Sequence, residues 1–281
     1  MKVMPDIKEH AVILARQFLP YYRFRRTQES TIDSGQGLQT ELNSNSIKVL
    51  NWNIAKNNFE KFWFQDFFKI LRLYQPDLIF LQEVRMGVNV EQIMGFTNMN
   101  WAYAPNFIDA HHQTYSGILT AAKISAIDKK VIMTKHHEPV FKTPKVSLIS
   151  EYSLSHNQQT LLTINSHLIN FVDLDKFKAQ LHELELAIST HRGPIIFAGD
   201  FNTWSRKRVV LVEKTVIRLG LREAHFAPEE NKKIKRFLLS PPLDYIFYRG
   251  LSEKPASAKV LDEICSSDHK PLLAEFTYVD T

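Results

Sequence analysis

From residue 47 onward, short apolar runs recur along the chain, and most of them stop on a polar residue. Ile47–Trp52, Leu78–Leu81, Leu161–Ile164, Ile195–Ala198, Tyr245–Tyr248 and Leu272–Phe276 have the length and composition of strands. Phe59–Leu73, Asp173–Ser189 and Arg206–Leu219 repeat their apolar residues with helical spacing. Between Trp101 and Ser155 the pieces Gly117–Ala121, Val131–Thr134 and Val146–Leu154 follow one another without long helices, which predicts antiparallel pairing there. The pattern predicts an α/β protein in which two packed sheets carry helices on their outer faces.

Before residue 47 the pattern changes. Thr27 to Ser46 is rich in Ser, Thr, Gln, Asn and Gly, so it reads as a linker with too little apolar surface to offset its ordering entropy. Met1 to Arg26 reads as an amphipathic helix ending in the basic run Arg23, Phe24, Arg25, Arg26, suited to a membrane surface or to packing on the domain. The expected organisation is therefore an N-terminal segment and linker over 1–46 and one catalytic-type domain over 47–281.

The polar residues that end the strands carry the chemistry. They are Asn51, Asn53, Gln82, Glu83, Asn165, His167, Asp200, Asn202, Asp244, Asp268 and His269. Singly, each has an ordinary explanation as a turn, a cap or a surface carboxylate. Together they supply the parts of one reaction. An anionic phosphate ester repels a nucleophile, so its hydrolysis calls for a hard cation with oxygen ligands. Glu83 is the first candidate ligand, with Asn53 and Asp268 beside it. Asp200 and Asn202 stand two apart, so in an extended chain both side chains leave one face, roughly 6–7 Å apart. That suits a carboxylate orienting water next to an amide gripping a phosphate oxygen. Asp244 and His269 can form a carboxylate–imidazole pair, and His167 is a second imidazole able to reach the phosphate or its leaving oxygen. Neither HExxH nor a CxxC pair is present, so zinc sites of those kinds have no support.

These motifs, in this order, resemble the endonuclease/exonuclease/phosphatase superfamily: Asn51-Trp52-Asn53, Gln82-Glu83, Asn165-Ser166-His167-Leu168, Gly199-Asp200-Phe201-Asn202, Leu243-Asp244-Tyr245-Ile246-Phe247 and Ser267-Asp268-His269-Lys270-Pro271. The stretches Ala198–Arg206 and Pro242–Leu251, with Ser116-Gly117 and Gly193-Pro194, look more closely like its bacterial YafD-like (UPF0294) subgroup. The resemblance implies a four-layer α-β-β-α sandwich of the DNase I-like kind. It also implies Mg²⁺ (or Mn²⁺) held by Glu83, Asn53 and Asp268, and catalytic roles for His167, Asp200, Asn202, Asp244 and His269. In one respect the chain departs from the abasic endonucleases of that superfamily: Ala55 stands where they carry a second acidic residue. His167, which they lack, corresponds to the imidazole of the deoxyribonuclease and sphingomyelinase branches.

Charge and composition bear on the substrate. The chain has 281 residues, a formal charge of +5 and one cysteine, Cys265. The single cysteine excludes an internal disulfide and fits a reducing compartment, so a cytoplasmic location is expected. The basic clusters Arg206-Lys207-Arg208 and Lys232–Arg236 favour nucleic acid as substrate, with Arg206 and Lys145 as candidate phosphate contacts. Inositol phosphates or phospholipid head groups are the alternative, with the basic N-terminus docking on an anionic membrane. A non-catalytic binding module keeping the fold is the third reading. No obligate protein partner is evident.

Overall fold

Alternation along each strand decides which neighbour each side chain meets. The computed structural model describes residues 23–27, 30–35, 37, 39–87, 96, 98–155 and 159–278. In chain order its elements are β1 (Phe24–Arg25), β2 (Ile32–Gly35), β3 (Ile47–Asn53), α1 (Lys61–Tyr74), β4 (Leu78–Gly87), β5 (Asn100–Asp109), β6 (Thr114–Ala122), β7 (Asp128–Met133), β8 (Val146–Ser153), β9 (Thr160–His167), α2 (Leu174–Ile188), β10 (Ile195–Asp200), α3 (Arg206–Arg218), β11 (Arg222–Glu223), a single-turn α4 (Pro228–Asn231), β12 (Asp244–Arg249), β13 (Leu251–Glu253), β14 (Lys259–Val260) and β15 (Leu272–Tyr278). One mixed sheet runs β1-β5-β6-β4-β3-β15-β13, with β2 also on β5 and β14 on β15; the other runs β11-β12-β10-β9-β8-β7.

The odd residues of β3 and the even ones of β4 and β10 face the space between the sheets. Val49, Phe80, Ala198, Ile246, Ala274 and Phe276 meet there in one buried cluster. Leu50, Trp52, Ile79 and Leu81 face the other way, onto Trp63, Phe67 and Ile70 of α1. Ile164, Ile195, Phe197 and Phe247 face Phe177, Leu181 and Leu184 of α2 and Val212 and Val216 of α3. The layers are therefore helix, sheet, sheet, helix. Of the aromatic residues on α1, Trp63 and Phe67 are core, with Trp63 stacked on Trp52 at 5.8 Å and on Phe67 at 4.7 Å, while Phe62 and Phe68 are exposed.

Two expectations for the first 46 residues change. The expected amphipathic helix lies outside the described residues as far as residue 22. Its basic end is not helical at Phe24–Arg25, which pair antiparallel with Asp109 and Ile108. The stretch read as a linker contains β2, paired with Tyr103 through Asn100, and Leu42, whose backbone bonds both ways with Ser153 and Ser155 and whose side chain is buried. The stretch is held because the edge of β5 and the end of β8 offer backbone partners that composition does not reveal.

Candidate active site

At one end of the sandwich the inner faces turn from apolar to polar. In β10 the sequence Ile196, Ala198, Asp200 keeps one face, and register sets Asp200 beside His167 of β9 and Asp244 of β12. Gly199 precedes Asp200 because the backbones of β9 and β10 touch there: an added Cβ would lie 1.8 Å from the Ser166 carbonyl oxygen. From the opposite sheet, Asn51 donates to the Gly199 carbonyl at 3.3 Å, and Asn53 donates to Asp200 Oδ2 at 2.9 Å. Gln82 bridges Asn51 and Asn165 at 2.9 and 2.8 Å, so the polar layer is cross-linked between sheets.

Glu83 reaches the same place by a different device. Strict alternation would turn it away from Gln82 and toward α1. A β-bulge between Leu81 and Val84, with Glu83 at φ 54°, breaks the alternation and brings its carboxylate to the cavity wall. Opposite that bulge sits Gly117, where β5 is also bulged between Pro105 and Phe107. A Cβ on Gly117 would lie 2.2 Å from the Ala104 carbonyl oxygen.

The resulting cavity, about 480 Å³, is lined by Asn53, Glu83, Lys145, His167, Asp200, Asn202, Asp268 and His269 among others. His167 Nε2 is 3.5 Å from Asp200 Oδ2 and 4.0 Å from Glu83 Oε1, and His269 Nε2 is 3.9 Å from Asp200 Oδ2. Behind His269, Asp244 Oδ2 meets Nδ1 at 2.7 Å, while its other oxygen, Oδ1, is buried without a partner. The Trp52 indole donates to the His269 carbonyl at 3.0 Å and Ser267 Oγ to the Asn53 carbonyl at 2.7 Å, which ties the last motif to the first. Asn202 sits at φ 49°, its backbone N–H donating to Asp200 Oδ1 and its side-chain amide to the Leu168 carbonyl.

The two imidazoles differ in charge. Burial, reinforced by Lys145 and only partly opposed by Asp200 and Glu83, pushes His167 down to about 4, so it is neutral at pH 7. Burial acts on His269 in the same sense, but Asp244, through both charge and hydrogen bond, together with Asp200 and Asp268, outweighs it and holds His269 up at about 10. Burial raises Asp200 against the attraction of both imidazoles. Burial would also raise Glu83, but Lys56, Lys145 and His167 hold it well below the usual carboxylate range.

The donor set suits a hard divalent cation. Glu83, Asp268 and Asn53 all line the cavity; Glu83 already attracts the Lys56 ammonium at 3.1 Å, and the Asn53 side-chain oxygen accepts from the Ala55 N–H at 3.0 Å. Asp268 has its carboxylate turned outward to Lys235 at 3.0 Å. Among the described residues the tightest grouping of potential ligand atoms is Asp200, Asp244 and His269. It is better read as a hydrogen-bond chain, because His269 Nδ1 is taken by Asp244 and the ring keeps its proton.

Most of the residues singled out from the sequence share this cavity or, like Asp244, stand directly behind it. Lys145 is on its wall, 3.4 Å from Glu138. Arg206 is not: it is exposed, ion-paired with Glu213, and lines a separate depression with Lys178 and Leu211. As the first residue of α3 it points outward, and the arginine that matters to the site is one half-turn on. Arg208 is buried between the rings of Phe177 and Trp204, at 4.4 and 4.8 Å, and donates to the carbonyls of Ile169, Asn202 and Val172. It clamps the turn carrying Asn202 to the strand end carrying His167. Sequence reading did not mention Lys56 and did not place Arg23, named there only in the basic run, at the site. Lys56 follows the Asn53 motif closely enough to be suspected, whereas Arg23 is brought to the cavity by β1, where it makes a two-armed contact with Asp109.

Residues 50–269 match the Endonuclease/Exonuclease/phosphatase family. The chain is 36% identical over 240 residues to a UPF0294 protein of Vibrio parahaemolyticus, covering 83% of this chain and 79% of that one. It is 32% identical over 241 residues to a UPF0294 protein of Erwinia tasmaniensis, covering 84% and 82%. Among solved structures, the human Nocturnin catalytic domain with bound sulfate superposes with a TM-score of 0.63 at 18% identity, over 90% of this chain and all (100%) of that one. ANGEL2, a 2′,3′-cyclic phosphatase, gives 0.62 at 15% identity, over 88% and 98%. With its layered fold and its six motifs gathered at one end of the sheets, the chain belongs to the endonuclease/exonuclease/phosphatase family, alongside the UPF0294 proteins.

Proposed function

We propose that this chain is a divalent-metal-dependent hydrolase of phosphodiesters. One observation carries the reading: a neutral imidazole, His167, and a charged one, His269, flank the same oxygen of Asp200 at 3.5 and 3.9 Å, in the cavity that also holds Glu83. Glu83, Asn53 and Asp268 would hold Mg²⁺ or Mn²⁺, which supplies charge neutralisation and polarises a phosphoryl oxygen. Asp200, raised by burial, orients an attacking water and takes its proton. His269, kept protonated by Asp244, presents an N–H and a positive charge to the phosphoryl group or its departing oxygen. His167, neutral, hydrogen-bonds the phosphate without adding charge, and Asn202 grips a second oxygen.

The case for nucleic acid over other phosphodiesters weakens at the surface. Arg206 lies off the cavity, and Lys232, Lys233 and Lys235 are paired with Glu229, Glu230 and Asp268. A second substrate reading, a head-group phosphodiester, gains from the apolar rim described below. Hydrolysis of bis(p-nitrophenyl) phosphate tests the class itself, because that ester carries neither base nor lipid. Turnover with Mg²⁺ or Mn²⁺, lost on adding EDTA, is the expected result. Turnover that survives EDTA refutes the metal, and none under any metal refutes the activity.

A further inference from the structure

Three loops from different parts of the chain each place an exposed apolar side chain at the mouth of the same cavity. Phe141, Phe171 and Phe237 line it and are 50%, 61% and 46% exposed. Val140 beside the first, and Leu238 and Leu239 beside the last, stand clear of the protein, the two leucines fully exposed. Each loop turns through a residue with positive φ, Lys142 at 56°, Phe171 at 53° and Leu238 at 51°, so each tip is a tight projection. Clustered apolar tips are unfavourable in water and mark an interaction surface. Ile217 on α3, Leu186 on α2 and Phe62 and Phe68 on α1 are also exposed, but they sit on helix faces and do not line the cavity.

Charge beside the tips identifies the partner. Arg25, Arg26 and Lys142 are exposed and adjoin Phe24 in a depression next to the mouth. Apolar tips with cations set among them match a bilayer, in which side chains enter the acyl boundary and Lys and Arg meet anionic head groups.

We infer that the mouth of the cavity docks on an anionic phospholipid bilayer and takes a head-group phosphodiester from it. The docking stands on the surface alone, whereas the choice of substrate rests on the proposed hydrolase reading. Full-length protein is sedimented with vesicles of phosphatidylcholine alone or mixed with phosphatidylglycerol, beside a triple variant, Val140→Asp, Leu238→Asp and Leu239→Asp. These three side chains lie outside the cavity lining and are exposed, so folding and turnover of bis(p-nitrophenyl) phosphate should be preserved. The expected result is binding to the mixed vesicles that falls roughly tenfold or more in the triple variant, remains in Ile217→Asp, and weakens in Lys142→Glu. Failure of the wild type to sediment, or equal sedimentation of the triple variant, overturns the docking. So does a wild-type dimer that the triple variant splits, or single-stranded DNA binding that disappears with the tips, since these assign the rim to another partner. Vesicle binding with no turnover of the soluble ester would leave the docking intact and refute the hydrolase.

Discussion

The space between the two sheets has a dry end and a wet end, built from the same strands. In β10, Ile196 and Ala198 belong to the dry end and Asp200 to the wet one. In β3, Val49 is followed on the same face by Asn51 and Asn53, and in β4, Phe80 is followed by Gln82. β3 and β10 run unbroken from one end to the other. The difference is that apolar side chains satisfy the first by exclusion of water, while the second has to satisfy each donor and acceptor individually. Gln82, Asn51 and Asn165 do so across the sheets, yet Asp200 keeps two imidazoles around it and Asp244 keeps one oxygen bare. The dry end is built for stability, and the wet end retains polar capacity that a bound group can use.

Substitutions at the two ends should therefore separate stability from turnover. The largest effect is expected at the wet end, where Asp200→Asn should lower turnover of bis(p-nitrophenyl) phosphate by about 10³–10⁴-fold, roughly 4–5.5 kcal/mol of barrier, with little change in melting temperature. Near-normal turnover in that variant would remove Asp200 from the chemistry. At the dry end Phe80→Ala should cost about 3–5 kcal/mol in denaturant unfolding and leave turnover of the remaining folded protein unchanged. Next comes the clamp between the ends. Arg208→Met strands the carbonyls of Ile169, Asn202 and Val172, costing roughly 1–3 kcal/mol of stability, and loosens Asn202. Turnover should drop with little change in KM, and Arg208→Lys should recover part of it.

The smallest and most diagnostic effect is one of pH. His269 is raised from 6.5 to about 10 in the folded protein. Its contribution is therefore complete below the unfolded value and lost as pH rises through the folded one. Melting temperatures of wild type and Asp244→Asn should differ most below about pH 6.5 and converge as pH approaches 10. A gap that stays constant with pH would mean that the pair contributes by packing alone.

Sequence gave access to the parts of this arrangement that depend on alternation. Asn53, His167, Asp200 and Asp244 end or begin runs whose apolar residues fix their facing, so their convergence followed once two sheets were expected. Glu83 was legible as a motif residue, but the broken alternation that aims it was not. The carboxylate of Glu83 turns inward only through a bulge, and β5 is two-sided and buried, with Ala, Tyr and Pro in place of a period-2 signal. Arg206 and Arg208 illustrate a further limit: both follow the Asp200 motif, but only the phase of α3 decides which one points in. The apolar rim was equally hidden, because Phe141, Phe171 and Phe237 are far apart in sequence and acquire meaning only where their loops meet.

One consequence follows from β1 and β2. Both pair on the outer side of β5, covering it along Asn100–Tyr103 and at Ile108–Asp109. A version of this protein shortened to begin at residue 47 would bare that edge and empty the pocket that Leu42 fills. An uncovered strand of this kind pairs readily with another copy. Trimming residues 1–46 should thus promote self-association through β5, besides removing Arg23 and Phe24 from the cavity lining.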